Sequence, residues 1–258
     1  MTYEPRKFWD ERLSEQFDLR GTGEPGLSLR YNRACYALRR KVLEGALRRR
    51  HITLASARVL DVGCGTGFWT SFYIEQGAEV TGVDIAPTSI ERLRQRYPQA
   101  RFELLDVSAA PVAGQFDVVN VIDVLYHITD EARFDTALRH LAAAVAPGGT
   151  LLVTDLFAEP VRQAEHNRMR GLPRYSAILE PAGFSLGSLH PTHVLMNREL
   201  GPFRFMNRLP SLLHALDVAL LGAGFGHDRH HNKLLVAQRA VSTGSWSAST
   251  RTPSGPTR

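Results

Sequence analysis

The sequence predicts an α/β protein built on a doubly wound, mostly parallel sheet. From Arg58 onward, short runs rich in Val, Leu and Ile alternate with stretches of helical spacing. The first of these runs, ARVLDV, ends in a turn with glycine at positions 63, 65 and 67, the kind of tight strand-to-helix turn that such sheets use. Hydrophobic content of 43% over 258 residues supplies a sizeable core.

The elements follow in order. Residues 6–20 read as a short helix carrying Phe8, Trp9, Leu13 and Phe17, broken by GTGEPG at 21–26. A second helix places Tyr31, Ala34, Cys35, Leu38 and Val42 on one apolar stripe. ARVLDV is the first strand, and the first crossover helix starts after Gly67. AEVTGVDI (strand), PTSIERLRQRY (helix), ARFELLDV (strand) and QFDVVNVIDVLYHI (a strand running on into a loop) come next. DEARFDTALRHLAAAV is a helix with Leu138, Leu141 and Val145 on one side; APGG stops it, and TLLVTDLF is the fifth strand. The last third holds a short helix ending at Gly183, a strand-like run, an apolar helical insertion over 202–226 and a closing strand, HNKLLVAQRA. The chain therefore divides into an N-terminal helical cap (1–57), a sheet domain (58–240) and a tail (241–258). From Ser242 on, that tail is too poor in apolar residues to pack and reads as disordered.

Composition excludes several classes. The only cysteines, Cys35 and Cys64, have no metal-ligand spacing, so neither a disulfide framework nor a zinc site is expected, and reduced thiols suit a cytoplasmic protein. The N-terminus is charged where a signal peptide needs an apolar core, and no apolar run approaches the roughly 18 residues of a membrane span. The expectation is a soluble, unprocessed chain with no membrane partner. Arg39, Arg40, Lys41, Arg48, Arg49 and Arg50 crowd the second helix. Without interleaved aromatics, they read as its solvated face sooner than as a surface for nucleic acid or anionic lipid.

The glycine turn discriminates between ligands. A dinucleotide fingerprint is G-x-G-x-x-G, and from Gly63 the third glycine is missing because Phe68 stands there. The pattern is D-x-G-x-G-x-G from Asp61, a backbone able to pass close to a flat ligand that need not be a phosphate. Asp84 closes the second strand, where a carboxylate accepts from ribose hydroxyls, and Asp106 ends the third, where one accepts from an adenine amine.

With VLDVGCGTG at 59–67, VTGVDIAP at 80–87, LLDV at 104–107, FDVVNVIDVLYHI at 116–128 and LAAAVAPGGTLLVTD at 141–155 in this order, the chain resembles the class I S-adenosylmethionine-dependent methyltransferases of small-molecule type. The resemblance implies a Rossmann-like seven-stranded sheet, mostly parallel with an antiparallel last strand, and S-adenosylmethionine as cofactor. It implies that Asp61, Gly63, Cys64, Gly65 and Gly67 line the methionine and ribose part, that Asp84 holds the ribose and that Ile85 packs on adenine. It further implies that Asp106, beside Val107, takes the adenine amine, and that Val121, Ile122 and Asp123 pass the methionine moiety. In such proteins an N-terminal helix covers the cofactor and a Tyr or Arg approaches its carboxylate; Tyr31, Arg33 and Arg39 are the candidates here.

Methyl transfer is an in-line displacement in which the cofactor brings its own leaving group, so the protein has mainly to align the nucleophile and exclude water. Tyr126 and His127 follow the fourth strand on the acceptor side, and His127 has the intrinsic range of a general base. The histidines at 190, 193, 227, 230 and 231 lack ligand spacing, so no metal is expected. The apolar insertion suits either a lid over an acceptor pocket or a homodimer interface. The first function expected is methyl transfer to oxygen, nitrogen or carbon of a small apolar or aromatic metabolite. The alternatives are a nucleic-acid methyltransferase, disfavoured because NVIDVLYH lacks a proline motif, and a cofactor-binding protein that transfers nothing.

Overall fold

The computed structural model describes residues 3–158, 161–196 and 200–241. The expected disordered tail from Ser242 lies outside them. Three N-terminal helices, α1 (Pro5–Glu15), α2 (Leu19–Thr22) and α3 (Leu29–Arg49), precede the sheet. Then come β1 (Arg58–Val62), α4 (Phe68–Glu75), β2 (Glu79–Asp84), α5 (Pro87–Arg96), β3 (Arg101–Leu104) and β4 (Phe116–Val121). A 3-10 turn at Leu125–His127 leads into α6 (Glu131–Ala144) and β5 (Val145–Asp155). The remainder is β6 (Val161–Ala164), β7 (Asn167–Met169), α7 (Leu172–Leu179), β8 (Phe184–Pro191), a 3-10 segment Gly201–Arg208, α8 (Pro210–Gly222) and β9 (Lys233–Arg239).

Seven strands form one sheet in the order β3-β2-β1-β4-β5-β9-β8. β3, β2, β1, β4 and β5 pair in parallel, and β9 runs antiparallel to both its neighbours. The strand order reverses between β1 and β4, and ligands of open α/β sheets sit outside the carboxyl ends at such a reversal.

Successive side chains of a strand point to opposite faces, and both faces here are apolar. Leu60, Val119, Leu151 and Val153 pack with Leu138, Leu141 and Tyr175 of α6 and α7. Val59, Val118 and Leu152 pack on the other side with Leu43 and Leu47 of α3 and Trp69, Phe72 and Tyr73 of α4. Local chemistry fixes the helix starts: Ser28 caps α3 by accepting from Tyr31 N at 3.1 Å, Asp130 caps α6 by accepting from Arg133 N at 2.8 Å, and Pro87 opens α5.

Three elements differ from the sequence expectation. β5 begins at Val145, because Val145 already pairs with Phe116 before a register shift resumes pairing at Thr150. APGG is thus an irregular strand entry as well as a helix stop. The short antiparallel pair β6–β7 had no apolar signal to announce it. The N-terminal helix is split in two, with Asp18 accepting from Arg20 N at 2.8 Å to start the second piece.

Candidate functional site

A cleft of about 960 Å³, its open mouth included, lies at the carboxyl ends of β1, β2 and β4, within the size range of small-molecule sites. The glycine turn forms its floor. Gly63 and Gly65 take φ of +66° and +50°, which side-chain-bearing residues rarely adopt. A Cβ on Gly63 would stand 2.5 Å from Val124 Cγ2, and one on Gly65 2.7 Å from Thr22 Cγ2. The glycines therefore let the turn press against the protein's own loops. Gly67 caps α4 and faces Leu93 and Tyr97, away from the cleft.

Two carboxylates border the cleft on neighbouring strand ends. Asp84 Oδ2 accepts from Gly65 N at 2.8 Å and Oδ1 from Ala86 N at 2.9 Å; burial raises its pKa, and those backbone donors oppose the rise. Asp84 lines the cleft, where a carboxylate can accept from a hydroxyl. Asp106 Oδ1 accepts from Ser108 N at 2.9 Å and Oγ at 2.6 Å, and Arg133 Nη2 reaches Oδ2 at 2.5 Å. Ile85 and Val107 supply apolar wall beside them, and Cys64 and Ile122 line the same space.

Asp61 stands behind the turn and is fully buried. Its carboxylate accepts from Thr70 Oγ1 at 2.6 Å and Asn120 Nδ2 at 2.9 Å, tying β1 to α4 and β4. Burial pushes it up to about 6 against the pull of those two donors. Val121 is likewise buried in the sheet core. Asp123 does reach the cleft, in a left-handed conformation with φ +60°. Its amide donates to Thr154 Oγ1 at 2.7 Å, and its Oδ1 accepts from Thr154 Oγ1 at 3.0 Å and Asn232 Nδ2 at 3.1 Å.

The three N-terminal candidates separate. Arg39 is buried and its Nη1 lies 2.5 Å from Asp123 Oδ2, so it braces the end of β4. Burial is the largest single influence and works against its charge, but Asp123 together with Cys35, Tyr36 and Tyr126 holds the guanidinium above its ordinary pKa. Tyr31 packs with Cys35, Leu38, Met196 and Leu213, on the side of α3 turned from the cleft. Arg33 is exposed. The tyrosine of α3 that lines the cleft is Tyr36, which donates to Thr22 Oγ1 at 2.9 Å. A helix turns about 100° per residue, so five positions after Tyr31 face elsewhere, and that phase was the available signal.

The acceptor end is aromatic. Tyr3, Pro5, Trp9 and Leu13 of the N-terminal segment and α1 line the cleft, so α1 is what covers it; no residue of α8 borders it. His127 is there, with the Trp9 ring 4.8 Å away edge-on and His166 stacked at 5.6 Å. His127 Nδ1 is 2.9 Å from the His166 carbonyl oxygen, which only accepts, so Nδ1 carries the proton. Burial drives this imidazole down to about 4, so it is neutral near pH 7 and Nε2 has a free lone pair. Tyr126 does not border the cleft; its ring lies 4.5 Å from that of His127.

Among the late histidines, His231 is tied into the fold. His231 bonds Asp228 at 2.7 Å and the Val194 carbonyl at 3.1 Å, and Lys233 Nζ donates to three backbone carbonyls. Much of the basic run is also engaged internally: Arg40 pairs with Glu44 and Glu75, Arg50 bonds Gln238 and Arg49 approaches His190.

A seven-stranded sheet with its antiparallel strand next to β5, and a glycine turn flanked by two carboxylates, define a class of group-transfer domain. A family model described as a methyltransferase domain matches residues 30–221, and the chain belongs to this family. The chain is 34% identical over 116 residues to the ubiquinone biosynthesis O-methyltransferase of Stutzerimonas stutzeri, a match covering 43% of this chain and 49% of that protein. The chain spans about half the length of the curated relatives it matches. Among solved structures, magnesium protoporphyrin IX methyltransferase from Synechocystis with bound SAM superposes with a TM-score of 0.60 at 19% identity, over 91% of this chain and 95% of that one. The 1,6-didemethyltoxoflavin N1-methyltransferase of Burkholderia thailandensis gives 0.53 at 20% identity over 79% of each chain. These likenesses extend to the fold.

Proposed function

We propose that the chain transfers a methyl group from S-adenosylmethionine to the oxygen of a small, apolar, aromatic hydroxy compound. The observation that carries this is a single cleft equipped at both ends, with Asp84 and Asp106 at one and the neutral His127 among aromatic rings at the other. The residues present fit an adenosyl group, since two carboxylate acceptors line the same cleft as the apolar Ile85 and Val107. Oxygen as the accepting atom is supported by the curated relatives, which are O-methyltransferases of ubiquinone biosynthesis.

When bound, the cofactor supplies an activated methyl group on a good leaving group. The chain's own residues do the rest. Asp84 takes the ribose hydroxyls and Asp106, held by Arg133 and Ser108, takes the adenine amine. Asp123, fixed by Arg39, Thr154 and Asn232, shapes the wall beside the reacting end. Trp9 and Tyr3 exclude water and sandwich a flat acceptor. His127 Nε2 accepts the hydroxyl proton. A base near 4 is weak toward a free phenol, but the oxygen becomes strongly acidic as its new bond to carbon forms, and a weak base then suffices.

Asp61, Gly67 and Val121 support this site from behind in our reading, and Tyr31 and Arg33 have no part in it. A nucleic-acid acceptor loses its motive because Arg39 is buried and Arg40 is paired within the chain. A cytoplasmic location belongs to the same reading. The test is incubation of the purified chain with methyl-labelled S-adenosylmethionine and a metabolite extract, read by mass spectrometry. Label in an aryl ether supports the proposal. Cofactor binding without labelled product, label in RNA, or tighter binding of NADH than of S-adenosylmethionine each overturns it.

A further inference from the structure

The segment between β8 and β9 departs from the usual surface helix, which is apolar on one side and polar on the other. α8 buries Pro210, Leu213 and Asp217, and Leu213 joins the α3 residues Tyr31, Cys35 and Leu38 in one cluster. Its outer side is apolar too. Leu212, Ala215, Leu216 and Ala219 are exposed, and at 3.6 residues per turn they fall within an arc of about 100°. The preceding 3-10 segment adds Phe203 and Phe205, at 60% and 58% exposure, and Leu209 and Phe225 flank α8. Six of the eight large hydrophobic side chains exposed among the described residues therefore lie in this one stretch. Single exposed hydrophobics need no explanation, whereas such a concentration marks a surface that something covers.

Charge decides what covers it. Arg204 and Arg208 are exposed within the apolar stretch, and Arg30 reaches its edge through Ser211 at 3.2 Å. From Leu200 to Gly226 the sequence holds one acid, Asp217, which is buried and spends its carboxylate on the amides of Val194, Leu195 and Met196. A second copy docking through this patch would bring two cationic surfaces together with no carboxylate between them. An anionic bilayer complements both features, taking aromatic and leucine side chains into the headgroup–acyl boundary and arginines at the phosphates. No helix among the described residues is long and apolar enough to cross a membrane, so contact would be with the surface alone.

We propose that the face formed by the 3-10 segment Gly201–Arg208 and the outer side of α8 docks on anionic phospholipid bilayers. The expectation of no membrane partner rested on the lack of a spanning segment and on reading the basic run of α3 as a solvated face, and a surface site on α8 leaves no long apolar run in the sequence.

The experiment is co-sedimentation of the full chain with phosphatidylcholine vesicles that contain or lack about 30 mol% phosphatidylglycerol. It needs neither cofactor nor acceptor, so it is independent of the methyl-transfer reading. Pelleting with the anionic vesicles and not with phosphatidylcholine alone is expected, weakened by raising salt from about 0.1 to 0.5 M. Arg204→Gln with Arg208→Gln should reduce partitioning by about thirtyfold, at roughly 1 kcal/mol per cation near the surface. Phe203→Ser with Phe205→Ser should reduce it at least about tenfold, through lost apolar burial. Both pairs are exposed, and unchanged thermal melting shows that each variant still folds. No pelleting with anionic vesicles, or pelleting that neither pair of changes reduces, overturns the proposal. So does a dimer in light scattering that Leu212→Glu with Leu216→Glu converts to monomer without any vesicle binding.

Discussion

His127 owes its state to two neighbours of different kinds. The apolar and aromatic surroundings remove its charge, and the His166 carbonyl selects which nitrogen keeps the proton. His127→Asn should therefore lower kcat by about a hundredfold or more, the range of general-base contributions, while S-adenosylmethionine affinity by calorimetry changes less than about threefold. With a pKa of about 4, His127 stays neutral throughout the ordinary working range, and protonation disables it only as pH falls toward 4. The activity profile should thus lack an acid limb at pH 6–7. Asp84 belongs to the other end of the cleft. Asp84→Ala removes a charged acceptor from the ribose hydroxyls and should weaken cofactor binding at least about tenfold, the worth of one hydrogen bond to a charged group. Unchanged affinity would take the ribose away from this residue.

Helix α3 is the element on which the sequence and the structure part most clearly. Its stripe from Tyr31 to Val42 was legible because apolar residues at helical spacing have few other uses. The strands were legible for the same reason, since a parallel sheet covered on both faces writes continuous runs of Val and Leu. What could not be read was that α3 is buried on several sides. Tyr31 meets α8, Leu43 and Leu47 meet the sheet, and Tyr36 and Arg39 turn toward the cleft. An arginine among five other basic residues reads as solvated until its carboxylate is known, and Asp123 lies 84 positions away. The cover formed by α1 was illegible for a related reason, because only Leu13 of that helix is buried and its amphipathicity is weak. The Arg39–Asp123 pair fastens α3 to the end of β4. Breaking a buried ion pair leaves one charge uncompensated, so Arg39→Leu should cost about 3–5 kcal/mol in denaturant unfolding. Arg39→Leu combined with Asp123→Asn should recover part of that loss, because neither charge then remains. A double variant no more stable than the single one would show that the pair is not the source.

Across the whole molecule the buried titratable groups oppose one another, which fixes the form of the pH–stability profile. His127 and His190 are both driven to about 4 by burial, and burial also lowers His166. Between about pH 4 and 6.5 the unfolded chain protonates these rings while the folded chain does not, so acidification through that window destabilises the fold. Asp61 and Asp155 are pushed by burial to about 6, with hydrogen-bond donors such as Thr70, Asn120 and Tyr175 opposing the rise. Between about pH 4 and 6 the folded chain holds protons on these acids that the unfolded chain releases, so acidification through nearly the same window stabilises the fold. Asp18, Asp117 and Asp228 have depressed values, and the stability they contribute is lost only below their ordinary range near 4, outside this window. Melting temperature should consequently change little from pH 6.5 to 4.5 in the unaltered chain. Removing one contributor should tilt it in a known direction. His127→Asn takes away a destabilising proton uptake, so that variant should gain stability on acidification relative to its value at pH 6.5. Asp155→Asn takes away a stabilising one and should lose stability over the same interval. Scanning calorimetry of the three proteins at four or five pH values reads both slopes; variants that tilt the same way would show that burial of these groups does not govern the profile.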